Sequence, residues 1–487
     1  MNLNNLLTGV ETLIFNDSTF EGKDVENITF DSRNVNASSV FIALKGETAD
    51  GHDYIESIAS IKPVAIVAEH FPENISAFKD TVLIKVPDSH KALGIIASNF
   101  YGNPSEELTV IGVTGTNGKT TIATLLYKIA GLLGIKAGLL STVANYIGED
   151  RYESTHTTPD SISLNRLLRQ MADEGCSFVA MEVSSHAAHQ KRIAGLNFSG
   201  GIFTNLSRDH LDYHKDLLSY RDAKKSFFDN LPSESFALVN SDDSNGTVML
   251  QNTKARHYTY SLSGTSDFKC SIVEQYIDNT QLRLNRRDVT TLLTGKFNAY
   301  NVTAVFGCMM LLGLEEDKVL KAISLLEPVK GRFQTFRNAK GKTVIVDYAH
   351  TPDALMNVLK TIGEVRKAGQ KIITVFGAGG NRDKGKRSIM GEIAGRYSDK
   401  IIITSDNPRF EDPNNIISDI MKGVLPENIQ NAITISDRRE AIHTAVALSG
   451  DNDIILIAGK GHENYQDVKG VKYHFDDSEE VIKALSN

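Results

Sequence analysis

The chain has few cysteines and no excess of basic residues. Cys176, Cys270 and Cys308 are far apart and odd in number in 487 residues. This spacing argues against a disulfide framework and favours a reducing compartment. Lysine and arginine total 52 against 60 aspartates and glutamates, which gives a formal net charge of −8. The composition therefore offers no support for a nucleic-acid partner.

Long apolar runs and low-complexity linkers are also absent from the sequence. No window approaches the length of a membrane span, and the first residues show no basic region followed by an apolar one. We therefore expect a cytosolic enzyme without membrane insertion. A chain of this length predicts roughly two to four domains. Without Pro-rich linkers, the domain boundaries have to be inferred from the spacing of motifs.

The strongest local signal is the segment from Val110 to Thr121, where an apolar run leads into a glycine-rich loop and then a helical pattern. Glycines let the backbone fold tightly so that its N–H groups surround an anion. The N-terminal end of the next helix adds positive charge. Lys119 can reach the β- and γ-phosphates, and the Thr120 hydroxyl can bind Mg²⁺. The loop departs from the strict G-x₄-G-K-[ST] spacing because Val113 stands at the first glycine position. A glycine turn with a surface lysine is the alternative, but the pattern favours a nucleoside triphosphate site.

Acidic and histidine side chains follow two other strand-like runs. Glu182 ends the apolar run 178–182, where a charge is costly unless it is paired or binds a metal. A carboxylate beside a phosphate loop suits Mg²⁺, although Glu182 could instead cap the next helix. The run 201–204 leads into His210 and Asp212, which could complete a metal site or hold substrate. Taken alone, a histidine there could equally be structural.

Basic residues form two sets of different character. Lys224 and Lys225 lie in a helical pattern, and their spacing alone predicts an exposed basic pair. Other basic residues lie mostly in glycine-rich loops after strands, where guanidinium groups suit carboxylates and phosphates. These are Arg332, Arg382, Lys384, Lys386, Arg387 and Arg409.

Short apolar runs separated by helical stretches predict an α/β protein with three domains. We place them at 1–100, at 101–332 around the phosphate loop with a mainly parallel sheet, and at 333–487 with a Rossmann-like arrangement. In the last domain four apolar runs each lead into a polar loop: 343–346, 371–376, 400–404 and 453–458. Ligands bind at the carboxyl ends of strands in open α/β sheets. These loops therefore predict a substrate or nucleotide cleft.

Taken together, the motifs resemble those of the Mur ligases of bacterial cell-wall synthesis. The resemblance covers nearly the whole chain, through the segments 31–33, 115–121, 157–160, 181–186, 205–214, 295–301, 331–332 and 347–353. It implies three domains that bind a UDP-sugar, ATP and an incoming amino acid. It also implies an ATP-dependent amide ligase of peptidoglycan synthesis that works through an acyl phosphate, with ATP and Mg²⁺ as cofactors.

The segment Asp406-Asn-Pro-Arg409 bears on the amino acid. In the family that this chain resembles, it marks members that add meso-2,6-diaminopimelate, and lysine-adding members lack the arginine. The resemblance implies ligation to the D-glutamyl γ-carboxylate of UDP-N-acetylmuramoyl-L-alanyl-D-glutamate, with no obligate protein partner. Arg409 could hold the second carboxylate of diaminopimelate through a bidentate pair. Glu463 and the loop around Gly459 could receive the distal ammonium.

The resemblance also implies individual roles for other residues. For the nucleotide, these are Gly115, Thr116, Asn117, Gly118, Lys119, Thr120, Thr121, Asn205, Asn298, Asn301 and Arg332. For the UDP-sugar and its peptide, they are Phe30, Ser32, Glu47, Thr48, Ala49, Thr157, Thr158, Ser184, Gln190 and Arg192. For diaminopimelate, they are Arg382, Asp406, Asn407, Pro408, Arg409, Gly459 and Glu463. For catalysis and the metal, they are Lys119, Thr120, Glu182, His210 and Lys224, the last as a carbamylated lysine.

Three alternatives stay open. A lysine-adding ligase of the same family is the nearest. A folylpolyglutamate synthase would share the phosphate loop and the acyl-phosphate chemistry, but that family begins near its loop, whereas about 100 residues precede it here. A nucleotide-dependent switch protein would usually carry an Asn-Lys-x-Asp motif, and we find none.

Overall fold

The computed structural model describes residues 1–14, 24–46, 49–74, 76–154, 156–209, 213–339 and 341–486. Their strands form three main sheets and one separate hairpin. In this part of the chain no helix has the length and apolar character that crossing a bilayer requires.

The N-terminal sheet has five strands in the order β1-β5-β4-β3-β2, and only β1 runs antiparallel to its neighbour. The strands are β1 (Leu13–Ile14), β2 (Asn27–Thr29), β3 (Ser39–Ile42), β4 (Ala65–Ala68) and β5 (Val82–Lys85). The helices are α1 (Leu3–Leu6), α2 (Ile55–Ile58) and α3 (Ser89–Phe100). Asp88 caps α3, since its side chain accepts from the Lys91 N–H at 2.8 Å.

The central sheet has eleven strands, and its middle is parallel. Its strands are β6 (Thr109–Thr114), β7 (Ala137–Leu140), β8 (Asn145–Ile147), β9 (Asp150–Tyr152), β10 (Phe178–Glu182), β11 (Gly200–Phe203), β12 (Phe236–Asn240), β13 (Arg256–Ser261), β14 (Phe268–Gln275), β15 (Thr280–Leu284) and β16 (Arg287–Thr291). Its helices are α4 (Lys119–Leu132), α5 (Ser161–Asp173), α6 (Ser185–His189), α7 (Leu217–Asp229), α8 (Gly246–Met249), α9 (Lys296–Leu311) and α10 (Glu316–Ser324). The order is β16-β15-β14-β13-β12-β11-β6-β10-β7-β8-β9. Strand β6 thus lies between β10 and β11, so the phosphate loop, Glu182 and the 204–209 segment leave the same edge.

The C-terminal sheet has six strands in the order β17-β18-β22-β19-β20-β21. Its strands are β17 (Gln334–Arg337), β18 (Thr343–Asp347), β19 (Ile372–Phe376), β20 (Lys400–Ile403), β21 (Ala432–Thr434) and β22 (Ile454–Ala458); the separate hairpin is β23 (Tyr465–Val468) with β24 (Val471–His474). The helices are α11 (Pro352–Val365), α12 (Gly385–Tyr397), α13 (Pro413–Met421), α14 (Arg438–Leu448) and α15 (Asp477–Ser486). The four predicted strands are β18, β22, β19 and β20. They are parallel neighbours, so their polar loops meet at one edge as expected.

A fully buried ion pair ties α14 to α15 beneath this edge. The side chains of Arg438 and Asp477 are completely buried, and Arg438 Nη2 lies 2.8 Å from Asp477 Oδ2. The Arg438 guanidinium also donates to the Ala458 carbonyl at 3.0 Å, at the end of β22. A buried charge whose partner is removed is strongly destabilising.

We expect Arg438→Met to lower the unfolding free energy of the C-terminal region by about 3–5 kcal/mol, because Asp477 would remain buried without its partner. Urea unfolding, monitored through hydrogen exchange at the backbone amides of α14 and α15, measures this loss of unfolding free energy. Arg439→Met is the matched control: Arg439 is 59% exposed and shares Glu480 with Lys483, so the expected change is below about 1 kcal/mol. Equal losses in the two variants would contradict this account.

Candidate active site

The phosphate loop joins β6 to α4 through Gly115–Gly118. Gly115 has φ +146° and Gly118 has φ +91°, a region that favours glycine. A Cβ on Gly115 would collide with Thr204 Oγ1, and one on Gly118 would lie 2.7 Å from Asn301 Oδ1. The two glycines therefore let the loop lie directly against the end of β11 and the start of α9.

Asn205 holds the loop in place from the end of β11. Its backbone carbonyl accepts from the Thr116 N–H at 2.8 Å. Its side-chain oxygen accepts from the Asn117 N–H at 3.0 Å, and its side-chain nitrogen donates to the Asn117 carbonyl at 3.2 Å. The structure thus places Asn205 beneath the loop, where it fixes the loop conformation.

Two lysine ammonium groups converge on one carbonyl of this loop. Lys119 Nζ donates to the carbonyls of Gly115 and Thr116 at 2.9 and 2.8 Å. Lys224 Nζ donates to the same Gly115 carbonyl at 2.8 Å and lies 4.4 Å from the Tyr220 ring centroid. Burial lowers the pKa of Lys119. Burial, reinforced by the charge of Lys119, holds the pKa of Lys224 well below its usual range.

The expectation of an exposed Lys224–Lys225 pair, drawn from spacing alone, is wrong. Lys224 is 1% exposed and Lys225 is 8% exposed. Lys225 Nζ pairs with Asp229 one helical turn away, whereas Lys224 points at the phosphate loop. The two neighbours on α7 therefore have different environments, and only Lys224 belongs to the site.

Glu182 ends β10, next to β6 in the sheet, and is 1% exposed. Its Oε1 accepts from the Thr142 N–H at 2.7 Å. The cap of α6 is Ser184, whose hydroxyl accepts from the Ala187 N–H at 3.1 Å, so the alternative of Glu182 as that cap is wrong. The carboxylate charge favours the protonated form of Lys119 against the effect of burial. Glu182 is thus a buried carboxylate at the loop, electrostatically coupled to Lys119.

A cavity of about 580 Å³ lies between the phosphate loop and the C-terminal sheet. Two contacts join its walls: Asn117 Nδ2 donates to Asp353 Oδ2 at 3.0 Å, and Arg332 Nη2 donates to Thr120 Oγ1 at 3.2 Å. The Arg332 guanidinium lies 4.4 Å from the Tyr348 ring centroid. Its Nε is buried and has no hydrogen-bond partner among the described residues. Arg332 therefore places a positive charge at the N-terminal end of α4.

Asp347, at the end of β18, also lines this cavity. Its two carboxylate oxygens accept from the Phe333 N–H at 2.7 Å and the Ala349 N–H at 2.8 Å. Burial raises the pKa of Asp347 to about 6, although the Arg332 charge and these two donors act in the opposite direction.

The pKa of Asp347 predicts a pH-dependent stability. The native pKa lies above the unfolded-chain value of about 3.9, so the native state binds more protons between these two values. The contribution of the Asp347 carboxyl to the unfolding free energy is therefore present at low pH and is lost as the pH rises through about 6. Relative to Asp347→Asn, which is neutral at every pH, the wild type should lose up to about 3 kcal/mol of unfolding free energy between pH 4 and 7. Urea unfolding across this range tests it, and a difference that does not change with pH would refute the assignment.

A second group of polar residues lies at the ends of β20 and β22. Lys460 Nζ, completely buried, donates to Asn407 Oδ1 at 3.0 Å and to Glu463 Oε2 at 3.1 Å. Asn407 Nδ2 donates to the same Glu463 oxygen at 2.8 Å. Arg409 Nη1 donates to the Gly380 carbonyl at 2.8 Å. Two predicted amino-acid-binding segments, 406–409 and 459–463, are thus brought together by side-chain contacts.

The pKa values of two carboxyl groups in this group move in opposite directions. Burial raises the pKa of Glu463, and the charge of Lys460 only partly offsets it. Burial acts on Asp406 in the same direction, but the charges of Lys460 and Arg438 together bring its pKa below the usual value. An incoming ammonium would favour the ionised form of Glu463.

The sequence matches three protein-family models, which follow one another along the chain. "Mur ligase family, catalytic domain" covers residues 24–101, "Mur ligase middle domain" covers 113–309, and "Mur ligase, glutamate ligase domain" covers 331–461. The chain belongs to the Mur ligase family. One relative, from Bacteroides thetaiotaomicron, is 53% identical over the full length of both chains and is named UDP-N-acetylmuramoyl-L-alanyl-D-glutamate--2,6-diaminopimelate ligase. A Clostridium botulinum relative with the same name is 40% identical, again over both full lengths.

Solved structures agree with this family assignment. A structure titled as a UDP-N-acetylmuramoyl-L-alanyl-D-glutamate--2,6-diaminopimelate ligase is 32% identical, with a TM-score of 0.70 and 97% of each chain covered. A Mycobacterium tuberculosis folylpolyglutamate synthase complexed with ADP is 17% identical, with a TM-score of 0.63 over 76% of this chain and 92% of that chain. The second likeness shows a shared fold alone.

In this Mur ligase, most residues predicted for the acceptor peptide form one connected set. Arg192 donates through Nε to Gln190 Oε1 at 2.9 Å and through Nη1 to the Thr158 carbonyl at 2.9 Å. The Thr158 hydroxyl donates to the Glu182 carbonyl at 2.8 Å, and the Ser184 N–H donates to that hydroxyl at 3.1 Å. This set connects the predicted peptide site to the end of β10. Thr157 accepts from the Thr142 hydroxyl at 3.1 Å, and the Thr142 N–H donates to Glu182 Oε1 at 2.7 Å.

The other predicted residues fall into four groups. In the N-terminal region, Phe30 is 39% exposed, Ser32 begins a short 3₁₀ helix and the Ala49 carbonyl accepts from the Gly46 N–H at 2.9 Å. At the start of α9, Asn301 Nδ2 donates to Asn298 Oδ1 at 3.1 Å, and Asn301 lines the cavity. Arg382 is exposed beside the amino-acid loops. The residues Glu47, Thr48, His210 and Asp212 lie outside the described residues.

Within the basic cluster 382–387, Arg387 does not serve as a ligand-facing residue. It is 1% exposed and donates to Glu411 and Asp419 at 3.0–3.1 Å, so it is a structural ion pair. Conversely, sequence reasoning missed Lys460 and Asp353 as site residues. Both lie inside strand-end motifs that the sequence displays, so their position after β22 and β18 was the available signal.

Proposed function

We propose that this Mur ligase adds meso-2,6-diaminopimelate to the D-glutamyl γ-carboxylate of UDP-N-acetylmuramoyl-L-alanyl-D-glutamate in peptidoglycan synthesis, with ATP as the energy source. The observation that carries the amino-acid assignment is the joined pair of loops 406–409 and 459–463, in which Arg409 and Glu463 offer opposite charges. The names of the full-length relatives support the same assignment.

The two loops match the chemistry of a diamino diacid. Glu463 Oε2 accepts hydrogen bonds from Asn407 and Lys460, whereas Oε1 has no hydrogen bond to the described residues and could receive the distal ammonium. Arg409 presents a guanidinium, which suits the distal carboxylate through a bidentate pair. Lysine has no distal carboxylate, so it would form no ion pair with Arg409, and the ion pair that only diaminopimelate forms favours diaminopimelate.

The residues present also fit a magnesium nucleotide. The Thr120 hydroxyl and the Glu182 carboxylate are hard oxygen donors, and Mg²⁺ commonly needs only one or two carboxylates besides phosphates and water. Among the described residues there is no group of three His, Cys, Asp or Glu side chains that would bind a metal without a nucleotide. When bound, Mg²⁺ would neutralise phosphate charge. His210 is proposed as an additional ligand on family resemblance.

The described lysine and arginine residues suit an acyl-phosphate reaction. A γ-carboxylate oxygen of the dipeptide attacks the γ-phosphorus of ATP, the bond to the β,γ-bridging oxygen breaks, and ADP leaves with that electron pair. The amine of diaminopimelate then attacks the acyl carbon, loses a proton and expels phosphate. Both reactants of the first step are anions, so the positive charges of Lys119 and Arg332 at the loop would lower the barrier as charge develops.

We further propose that Lys224 is carbamylated in the active protein. The ammonium would first lose one proton, and the neutral amine nitrogen would then attack the carbon of CO₂ and lose a second proton, which gives a carbamate with a carboxylate-like negative charge. That reaction requires a neutral amine, and burial lowers the pKa of Lys224 in the required direction. The resulting carboxylate would lie beside Lys119 and support Mg²⁺ at the loop.

A ligation assay tests the proposal. Purified protein with ATP, Mg²⁺, diaminopimelate and the UDP-linked dipeptide should give equimolar ADP and UDP-linked tripeptide. Omitting diaminopimelate or the UDP-linked dipeptide should reduce phosphate release to a background rate. A nucleotide-dependent switch protein would instead hydrolyse ATP at the same rate without these two compounds. No tripeptide under these conditions would rule the proposed function out.

A further inference from the structure

The hairpin β23–β24 stands apart from the three main sheets and directly follows the 459–463 loop. Its strands pair antiparallel from Tyr465↔His474 to Val468↔Val471. The connecting residues Lys469 and Gly470 have φ +52° and +83°. Two left-handed residues between paired strands are typical of a tight type I′ turn, which fixes the register of a hairpin.

The first strand and the turn of this hairpin form hydrogen bonds with three residues of the 406–409 segment. The Arg409 N–H donates to the Asp467 carbonyl at 3.0 Å, and the Lys469 N–H donates to the Arg409 carbonyl at 2.7 Å. The Asp467 N–H donates to Asn407 Oδ1 at 2.9 Å. Gln466 Nε2 donates to the Asp406 carbonyl at 2.7 Å. Of these four contacts, only the one from Gln466 uses a hairpin side chain.

Arg409 needs such support because its backbone is unfavourable. Its φ is +51°, in the left-handed region that non-glycine residues rarely adopt. With its N–H and carbonyl both bonded to the hairpin, the side chain is directed over Gly379, where a Cβ would lie 2.9 Å from Nη1. The direction of the guanidinium thus depends on the hairpin.

We infer that the hairpin 465–474 positions the amino-acid recognition segment, and that Gln466 is a positioning residue for selection of the diamino diacid. This inference rests on the proposed function. Gln466 holds the Asp406 carbonyl, Asp467 holds Asn407 and Arg409, and together they set where Arg409 meets a carboxylate. Gln466 need not touch the substrate, because it acts through the 406–409 backbone.

Gln466→Met tests the inference, since methionine keeps the length of the side chain and removes the amide donor. We expect the KM for diaminopimelate to rise about five- to tenfold, the size of effect that one lost hydrogen bond gives. The KM values for ATP and for the UDP-linked dipeptide should stay within about twofold. The rate with L-lysine should change little, so the preference for diaminopimelate over lysine should fall.

Two comparisons separate positioning from a general loss of structure. Lys472→Met lies on the same hairpin, where Lys472 is exposed and lies 4.3 Å from the Tyr465 ring centroid; it should behave like wild type. In the double variant Gln466→Met/Arg409→Ala, the KM for diaminopimelate should be no higher than in Arg409→Ala alone, because Gln466 acts through Arg409. The inference is wrong if wild type ligates diaminopimelate and Gln466→Met leaves the KM for diaminopimelate unchanged. It is also wrong if the KM increases caused by Gln466→Met and Arg409→Ala add in the double variant. If wild type fails to ligate diaminopimelate at all, the proposed function fails instead.

Discussion

Replacing Lys224 by Met should lower kcat for tripeptide formation by about 10²–10³-fold, with the KM values for ATP and diaminopimelate changed far less. Methionine fills the same buried space but cannot be carbamylated, so the site would lose a carboxylate beside Lys119. Losing one preorganised electrostatic group at a developing charge has effects of this size. Lys224 is 1% exposed and its only described hydrogen bond is to the Gly115 carbonyl, so methionine leaves one buried carbonyl without that donor.

Carbon-13 NMR with labelled bicarbonate separates this role from a purely structural one. Wild type should show a carbamate signal that Lys224→Met lacks. Lys225→Met is the matched control, because Lys225 pairs with Asp229 and lies outside the site; it should keep both the signal and the turnover. A fully active Lys224→Met variant, or a carbamate signal that persists in it, would contradict the proposed role.

Arg409→Ala should lower kcat/KM for diaminopimelate by about 10–100-fold and leave kcat/KM for L-lysine nearly unchanged. A charge-assisted bidentate pair contributes about 1.5–3 kcal/mol, which corresponds to that factor. Since lysine offers no distal carboxylate, its binding does not depend on the guanidinium. The expected result is therefore a change in selectivity rather than a general loss of activity.

Steady-state kinetics with the two amino acids as competing substrates measures this selectivity. Arg396→Ala serves as the control, since Arg396 is 58% exposed and pairs with Glu392 on the surface of α12. Unchanged kinetics in Arg409→Ala, or equal losses for both amino acids, would contradict the role assigned to Arg409.

Much of the site was predictable because continuous parallel strands leave a clear signal. The strands β6, β10 and β11 are buried along nearly their whole length, so their apolar runs are visible in the sequence. The polar residues that follow them lie at one edge of the sheet as a direct consequence. For the same reason, the sequence predicted that four strands of the C-terminal sheet end in polar loops at one edge, and these strands are neighbours in the structure.

Other features depend on packing that local sequence patterns do not encode. Nothing in a Lys-Lys pair on a helix shows that one side chain is aimed at a phosphate loop 109 residues earlier in the chain; only the family resemblance indicated it. The hairpin β23–β24 was missed because its second strand is fully exposed and its first only partly buried, which leaves no apolar run to read. The structural role of Arg387 depends on Glu411 and Asp419, which are distant in sequence.

The most direct measurement for the account as a whole is an amino-acid panel in the ligation assay, with the UDP-linked dipeptide, ATP and Mg²⁺ held constant. We expect meso-2,6-diaminopimelate to give tripeptide and stoichiometric ADP. We also expect L-lysine to be a much poorer substrate and L-glutamate to give no product. Equal or faster ligation of lysine would contradict the assigned amino acid, and ATP hydrolysis that is independent of every amino acid would contradict the ligase itself.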